Sequence, residues 1–183
     1  LGSDRWGMVA KTEEKAILSM VTGEMGTVLQ HLYTKSSSSQ ENTAASLTQT
    51  LQDIYHASTL DQRLEVAAHA FHTNLNASRV VVYWFESEGR FFWSRTIAPQ
   101  KATGANSANT EGQMRLEVKQ CVPFYQTLAK NICVEITPVQ SSLNLESTSR
   151  MVELLQVKSL LAVPLWLNER LYGCITLEET KPR

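Results

Sequence analysis

His69 and His72 stand three apart in a stretch of helical periodicity, a spacing that can bring two imidazoles to one metal ion. No Cys or carboxylate lies at ligand spacing to complete such a site, so the pair reads better as the polar edge of a helix. His31 and His56 are isolated. Cys121, Cys133 and Cys174 are far apart and form no C-x-x-C, so neither a zinc site nor a disulfide framework is indicated. Nucleophilic catalysis would call for a Ser or Cys on a sharp turn beside a His, and no G-x-S-x-G occurs. Walker A and G-x-G-x-x-G are absent as well. Trp84, Trp93 and Trp166 alternate within strand-like segments, which points to sheet packing rather than a ligand cage. With no catalytic constellation and no metal set, the expectation is a chain that is not an enzyme.

Composition points to a soluble, intracellular protein and to nothing finer. The 183 residues carry 17 Lys+Arg against 18 Asp+Glu, a net charge of −1, with 43% hydrophobic and 19% charged residues. That length suits one core of ordinary size, or one domain with an appendage. A balanced charge without a basic stripe argues against a nucleic-acid surface. No window approaches the roughly 18 to 20 apolar residues needed to cross a bilayer, and no signal-peptide layout opens the chain. An odd number of scattered cysteines fits the reducing cytoplasm. Because the first residue is Leu1 rather than Met, a fragment of a longer chain is expected.

The elements that must position any site follow from periodicity. Residues 1–35 hold a helix in which Leu18, Val21, Met25, Val28 and Leu32 alternate steps of three and four, a heptad-like seam about two heptads long. Two readings stay open for it: a docking or dimerisation helix, or an amphipathic helix lying on its own domain. Residues 36–45 are Ser-rich and polar, a linker. From residue 46, Ser46 and Thr59 open capping-box patterns, and two helices are expected, ending near Ala57 and Leu75. Leu47, Leu51, Ile54 and Tyr55 stripe the first; Leu64, Ala67, Ala68, Phe71 and Leu75 stripe the second.

Residues 79–85 and 90–97 are β-branched and aromatic about a turn, a hairpin. Residues 98–112 read as a long mobile loop, 113–118 as a short strand, 122–130 as a short helix and 131–137 as a strand. A helix over 145–156 has Asn144 as N-cap and Leu145, Val152 and Leu155 facing inward. Residues 159–167 and 171–177 form a second hairpin. Neither hairpin is stable alone, so their apolar faces must meet. The fold class is α+β: an antiparallel sheet of five or six strands flanked by helices, the two N-terminal ones on one face and the shorter helices and loops on the other, with an N-terminal helical extension.

Residues 46–183 resemble a GAF domain, and within that superfamily the bilin-binding domains of phytochromes and cyanobacteriochromes. Thr59-Leu60-Asp61 opening a helix, then Leu75 through Tyr83, is similar to the family's helix and first strand, with Ser78 where an acidic residue usually precedes Arg79. Glu135-Ile136 stands for Asp-Ile. The run Leu155 to Leu165 resembles Phe-Gln-Val-Arg-Ala-Asn-Leu-Val-Val-Pro-Ile, and Leu171-Tyr172-Gly173 stands for Leu-Trp-Gly. The chain stops at Pro182-Arg183, where the family usually continues into a last helix.

The resemblance implies where a pigment would sit. The Cys-His pair that tethers and covers a linear tetrapyrrole falls on Ser147-Thr148, and a second His falls on Glu178. A hydroxyl does not add to a vinyl or ethylidene group as a thiolate does, so covalent attachment is expected to be lost. Cys121 lies where some cyanobacteriochromes carry a second thiol, but Gln120 and Val122 depart from Asp-x-Cys-Phe, and an inert thiol is expected. Ser147, Thr148, Glu135, Tyr125, Glu178 and Cys121 are thus the residues of a degenerate bilin pocket, filled by side chains or by a reversibly held ligand. The Asn-Lys-x-Asp-Glu motif of cyclic-nucleotide binders is missing. Three functions remain in view: a non-catalytic sensory or interaction module of a signalling protein; a reversible sensor of a noncovalent tetrapyrrole or nucleotide; and a structural subunit docked through the N-terminal helix. Expected partners are another protein or a second copy, met through the N-terminal helices, with no cofactor as the leading expectation.

Overall fold

A computed structural model describes residues 19, 23, 49, 52–54, 56–99 and 114–181. Two compact units divide at Ala67/Ala68, within helix α1 (Leu60–Leu75). In the first, Gln49, Gln52, Asp53, Ile54 and His56 are helical and Ala57 is not, so the helix ends where expected. Thr59 caps α1: its Oγ1 accepts from the Gln62 amide at 3.2 Å. The Gln62 carboxamide reaches back one residue further than a capping box does, accepting from the Ser58 amide at 3.2 Å. Leu60, Leu64, Ala67, Ala68 and Phe71 form the buried stripe of α1. The seam of Leu18, Val21, Met25, Val28 and Leu32, the Ser-rich linker and nearly all of the 98–112 loop lie outside the described residues.

The second unit is built on β1 (Arg79–Glu86), β2 (Phe91–Ala98), β3 (Arg115–Glu117), β4 (Val134–Ile136), β5 (Ser159–Leu167) and β6 (Arg170–Glu179). All pairings are antiparallel, in the order β3-β2-β1-β6-β5-β4. The two Trp-bearing hairpins therefore meet along β1 and β6, as the instability of a lone hairpin requires. Asn168 and Glu169 join β5 to β6 with φ of 49° and 61°. Two consecutive left-handed residues are what a tight hairpin turn matching strand twist demands.

Cross-strand partners share a face. On the inner face Arg79 opposes Glu178, Val81 opposes Thr176 and Tyr83 opposes Cys174; Leu160 and Ala162 continue it on β5. Above that face lie α2 (Val122–Leu128) and α3 (Leu145–Leu155), whose Phe124, Leu128, Met151 and Leu155 are buried in the same cluster. The opposite face carries Val80, Val82, Trp84, Val163, Leu165 and Ile175, all buried.

Side chains of the sheet satisfy the ends of both covering helices, whose last carbonyls have no partner within the helix. Trp166 Nε1 donates to the Leu128 carbonyl at 2.8 Å, and Arg79 Nη2 to the Leu155 carbonyl at 2.7 Å. Helix α3 ends at Gln156, which is left-handed at φ 54°, with Val157 N–H donating to Val152 at 3.1 Å, a Schellman-type closure. One expectation fails here. Leu145 is 83% exposed, because it starts α3 ahead of the turn that reaches the sheet, and Met151 fills the inward position instead.

Candidate functional site

Ser147 and Thr148 occupy the first turns of α3. Asn144 caps the helix as expected, its Oδ1 accepting from the Ser147 amide at 2.9 Å. The Thr148 hydroxyl lies 2.6 Å from Ser141 Oγ and 2.8 Å from the Asn144 carbonyl, so it is committed to its own helix start and the preceding loop. Both residues are half-buried.

Glu135 is separated from the interior. Strand alternation turns Val134 and Ile136 inward and leaves Glu135 exposed. Its backbone is held by Ser142, with Glu135 N–H donating to Ser142 Oγ and Ser142 N–H to the Glu135 carbonyl, each at 2.9 Å. Tyr125 is half-buried and packs against the cluster, its ring 5.2 Å from that of Phe85 and 6.4 Å from that of Phe92, with the Arg90 guanidinium 5.7 Å from its centroid.

Cys121 and Glu178 do reach the interior. Cys121 precedes α2 and donates its thiol to the Glu117 carbonyl at 3.3 Å. Burial pushes that thiol up to about 12, and burial raises the Cys174 thiol too. Neither therefore carries the thiolate that nucleophilic or ligand chemistry needs near neutrality. Cys133 is exposed. In the native chain one thiol of three should react rapidly with an aromatic disulfide reagent, and the other two only on unfolding; titration with and without denaturant measures this.

Glu178, 1% exposed, is the most buried charge-bearing residue of the described set. Arg79 grips it at 2.5 Å through both Nε and Nη2, and Thr176 Oγ1 donates to it at 2.7 Å. Burial raises its pKa, while Arg79 and the Thr176 hydrogen bond oppose that rise. Tyr83, beside it on the face, is raised by burial first and then by Glu178. Ser78 hydrogen-bonds the Glu179 carboxylate across the same strand pair. Among the described residues every buried side-chain nitrogen or oxygen has a hydrogen-bond partner, and no group of three His, Cys, Asp or Glu is placed to hold a metal.

Sequence reasoning did not single out Arg79 and Thr176. The available signal was an Arg opening one apolar strand and a Glu closing another, which pair once the strands do.

A family model described as GAF domain matches residues 59–183. Among solved structures, the chromophore-binding domain of the bacteriophytochrome RpBphP3 from R. palustris superposes with a TM-score of 0.62 at 14% identity, over 79% of this chain and 55% of that one. The chain thus spans little more than half of that relative. The phycoerythrobilin-bound GAF domain from a cyanobacterial phytochrome gives 0.58 at 12% identity, over 76% and 82% of the two chains. The GAF domain of the Acinetobacter phosphoenolpyruvate-protein phosphotransferase gives 0.56 at 13%, over 76% and 78%. No curated protein sequence matches. Among the described residues no helix is long and apolar enough to cross a membrane. GAF domains are sensory and ligand-binding modules of signalling proteins. A match over most of the sequence, carried by a six-stranded antiparallel sheet under helices, means that this chain belongs to the GAF domain family.

Proposed function

We propose that this GAF domain is a non-catalytic sensory or interaction module of a cytoplasmic signalling protein in which covalent bilin attachment has been lost. The observation that carries the reading is Ser147-Thr148 at the start of α3, where the bilin-binding branch that the sequence resembles has Cys-His. A hydroxyl lacks the nucleophilicity of a thiolate at neutral pH, and the Thr148 hydroxyl is already spent on Ser141 and the Asn144 carbonyl. The position of the second His holds Glu178, which Arg79 and Thr176 engage. These residues do not fit a covalently tethered tetrapyrrole, and no step of the function is routed through one. Output would pass to another protein or a second copy through the N-terminal segment, where the sequence spaces Leu18, Val21, Met25, Val28 and Leu32 in a heptad-like pattern.

The test is to express the chain in cells that make phycocyanobilin and to record zinc-induced fluorescence on a denaturing gel. No fluorescent band is expected, and a band would overturn the reading. Absorbance of the desalted native protein separates the rival: pigment retained without a band would make the domain a reversible tetrapyrrole sensor.

A further inference from the structure

The Arg79 guanidinium does two things at once. It grips the Glu178 carboxylate at 2.5 Å, and its Nη2 donates to the Leu155 carbonyl, 2.7 Å away, at the C-terminal end of α3. That helix has no basic residue in its own last turn. The cation that satisfies its final carbonyl, and complements the negative end of its dipole, is borrowed from β1. Three elements distant in sequence are thereby tied at one side chain: β1 through Arg79, β6 through Glu178, and α3 through Leu155.

We propose that Glu178 is the proton-sensitive element of a switch that sets how firmly α3 is held to the β1–β6 seam. While Glu178 is ionised it orients the Arg79 fork toward the helix end. When Glu178 takes up a proton the charge-assisted pairing is lost, the fork is no longer fixed, and Arg79, whose side chain is 24% exposed, can turn toward water and release the Leu155 carbonyl. Helix α3 also carries Ser147 and Thr148, so a change at the far end of the sheet face reaches the segment that begins the candidate site.

The surroundings contain few competing titrations. On β1 the facing groups are Arg79 and Tyr83; on β6 they are Cys174 and Thr176; on β5 Leu160 lies opposite Glu178, and α3 brings the Leu155 carbonyl. Tyr83 and both interior thiols are held neutral by burial through the range in which a carboxyl titrates. Glu179, next on β6, is held by Ser78. Burial moves the Glu178 carboxyl upward, and Arg79 and the Thr176 hydrogen bond oppose that rise. The sign of the linkage is distinctive. A carboxyl whose folded-state pKa lies above its unfolded value imposes a penalty that is present above that pKa and lifted as pH falls through it. This group therefore does not weaken the fold on mild acidification, even as the hold on α3 slackens.

The test is amide hydrogen exchange on the 183-residue chain, expressed as protection factors from neutral to mildly acidic pH, for wild type and Glu178→Gln. In wild type the last turn of α3 should lose protection by roughly tenfold, the loss of one charge-assisted hydrogen bond, while α2 stays unchanged. In Glu178→Gln the protection of α3 should be low and independent of pH. Equal pH profiles in the two proteins, or parallel loss in α2 and α3, would overturn the proposal. Should the variant not fold, carboxyl-carbon NMR of wild type decides. Amide shifts at the end of α3 must then titrate with the Glu178 midpoint, and a different midpoint, or none, refutes the switch.

Discussion

Replacing Gly173 with alanine is expected to leave little folded protein. A Cβ at this position would stand 2.0 Å from the Tyr83 carbonyl oxygen and 3.1 Å from the Trp84 Cα, so the obstacle is backbone, which no rotamer change removes. Gly173 does not have a positive φ, and the requirement is for space rather than for conformational freedom. It lies on β6, between β1, where it opposes Trp84, and β5, where it opposes Leu165. Any separation there opens the seam that joins the two hairpins and carries the pairs Tyr83 with Cys174, Val81 with Thr176 and Arg79 with Glu178. We expect a loss of about 4 kcal/mol or more, in the range that only a few mechanisms reach, against a total stability of roughly 5 to 15 kcal/mol for ordinary domains. Soluble yield and the urea midpoint measure it. Gly89→Ala is the control: its added Cβ would meet side chains alone, the Phe91 ring edge at 2.4 Å and the Glu86 Cγ at 3.5 Å, beside an exposed turn where they can swing aside. A Gly173→Ala protein as stable as Gly89→Ala would mean that the central seam is not in this register.

The same glycine shows how far sequence reasoning reaches. Leu171-Tyr172-Gly173 was readable as a motif, but the reason for the glycine is a carbonyl on a strand about 90 residues away, and local pattern contains no such information. What periodicity and turn chemistry control was readable: both hairpins, the Asn144 cap, the Thr59 helix start, and the inward stripes of α1. These depend on neighbours within a few residues. Leu145 shows the limit of the period. It shares a helical face with Val152, yet a helix end that overhangs its sheet exposes even a correctly phased residue. The candidate site divides in the same way. Thr148 and Cys121 are held by partners within seven residues, whereas the Arg79 to Glu178 bond spans 99 positions and emerges only when β1 and β6 pair. Glu135, named for the pocket by its motif position, lies exposed, because a motif position fixes sequence register while strand alternation decides the face.

Arg79→Ala should be strongly destabilising although it adds no steric clash. It strips the guanidinium from a carboxylate whose side chain is fully buried and removes the Arg79 donor from the Leu155 carbonyl. Breaking a buried ion pair from one side strands the remaining charge, and the cost exceeds what the intact pair contributes. With the Arg79 side chain 24% exposed, water can enter part of the gap, and we expect a loss of about 3 kcal/mol at neutral pH. Glu178→Gln alone should cost much less, because it leaves no charge stranded in the interior and the released Arg79, 24% exposed, can reach water, and combining the two substitutions should recover much of the Arg79→Ala loss. The pH dependence follows from the same geometry. Burial already lifts the Glu178 carboxyl and Arg79 holds it down, so removing Arg79 raises it further. The penalty for an ionised Glu178 is then present at neutral pH and disappears as pH falls through the raised value. Urea denaturation of wild type, both single variants and the double variant, at about pH 8 and about pH 5, should show an Arg79→Ala deficit that shrinks on acidification and a double-variant deficit that does not. A deficit in Arg79→Ala that is the same at both values would mean that the loss comes from packing and the helix-end hydrogen bond, with no stranded charge at Glu178.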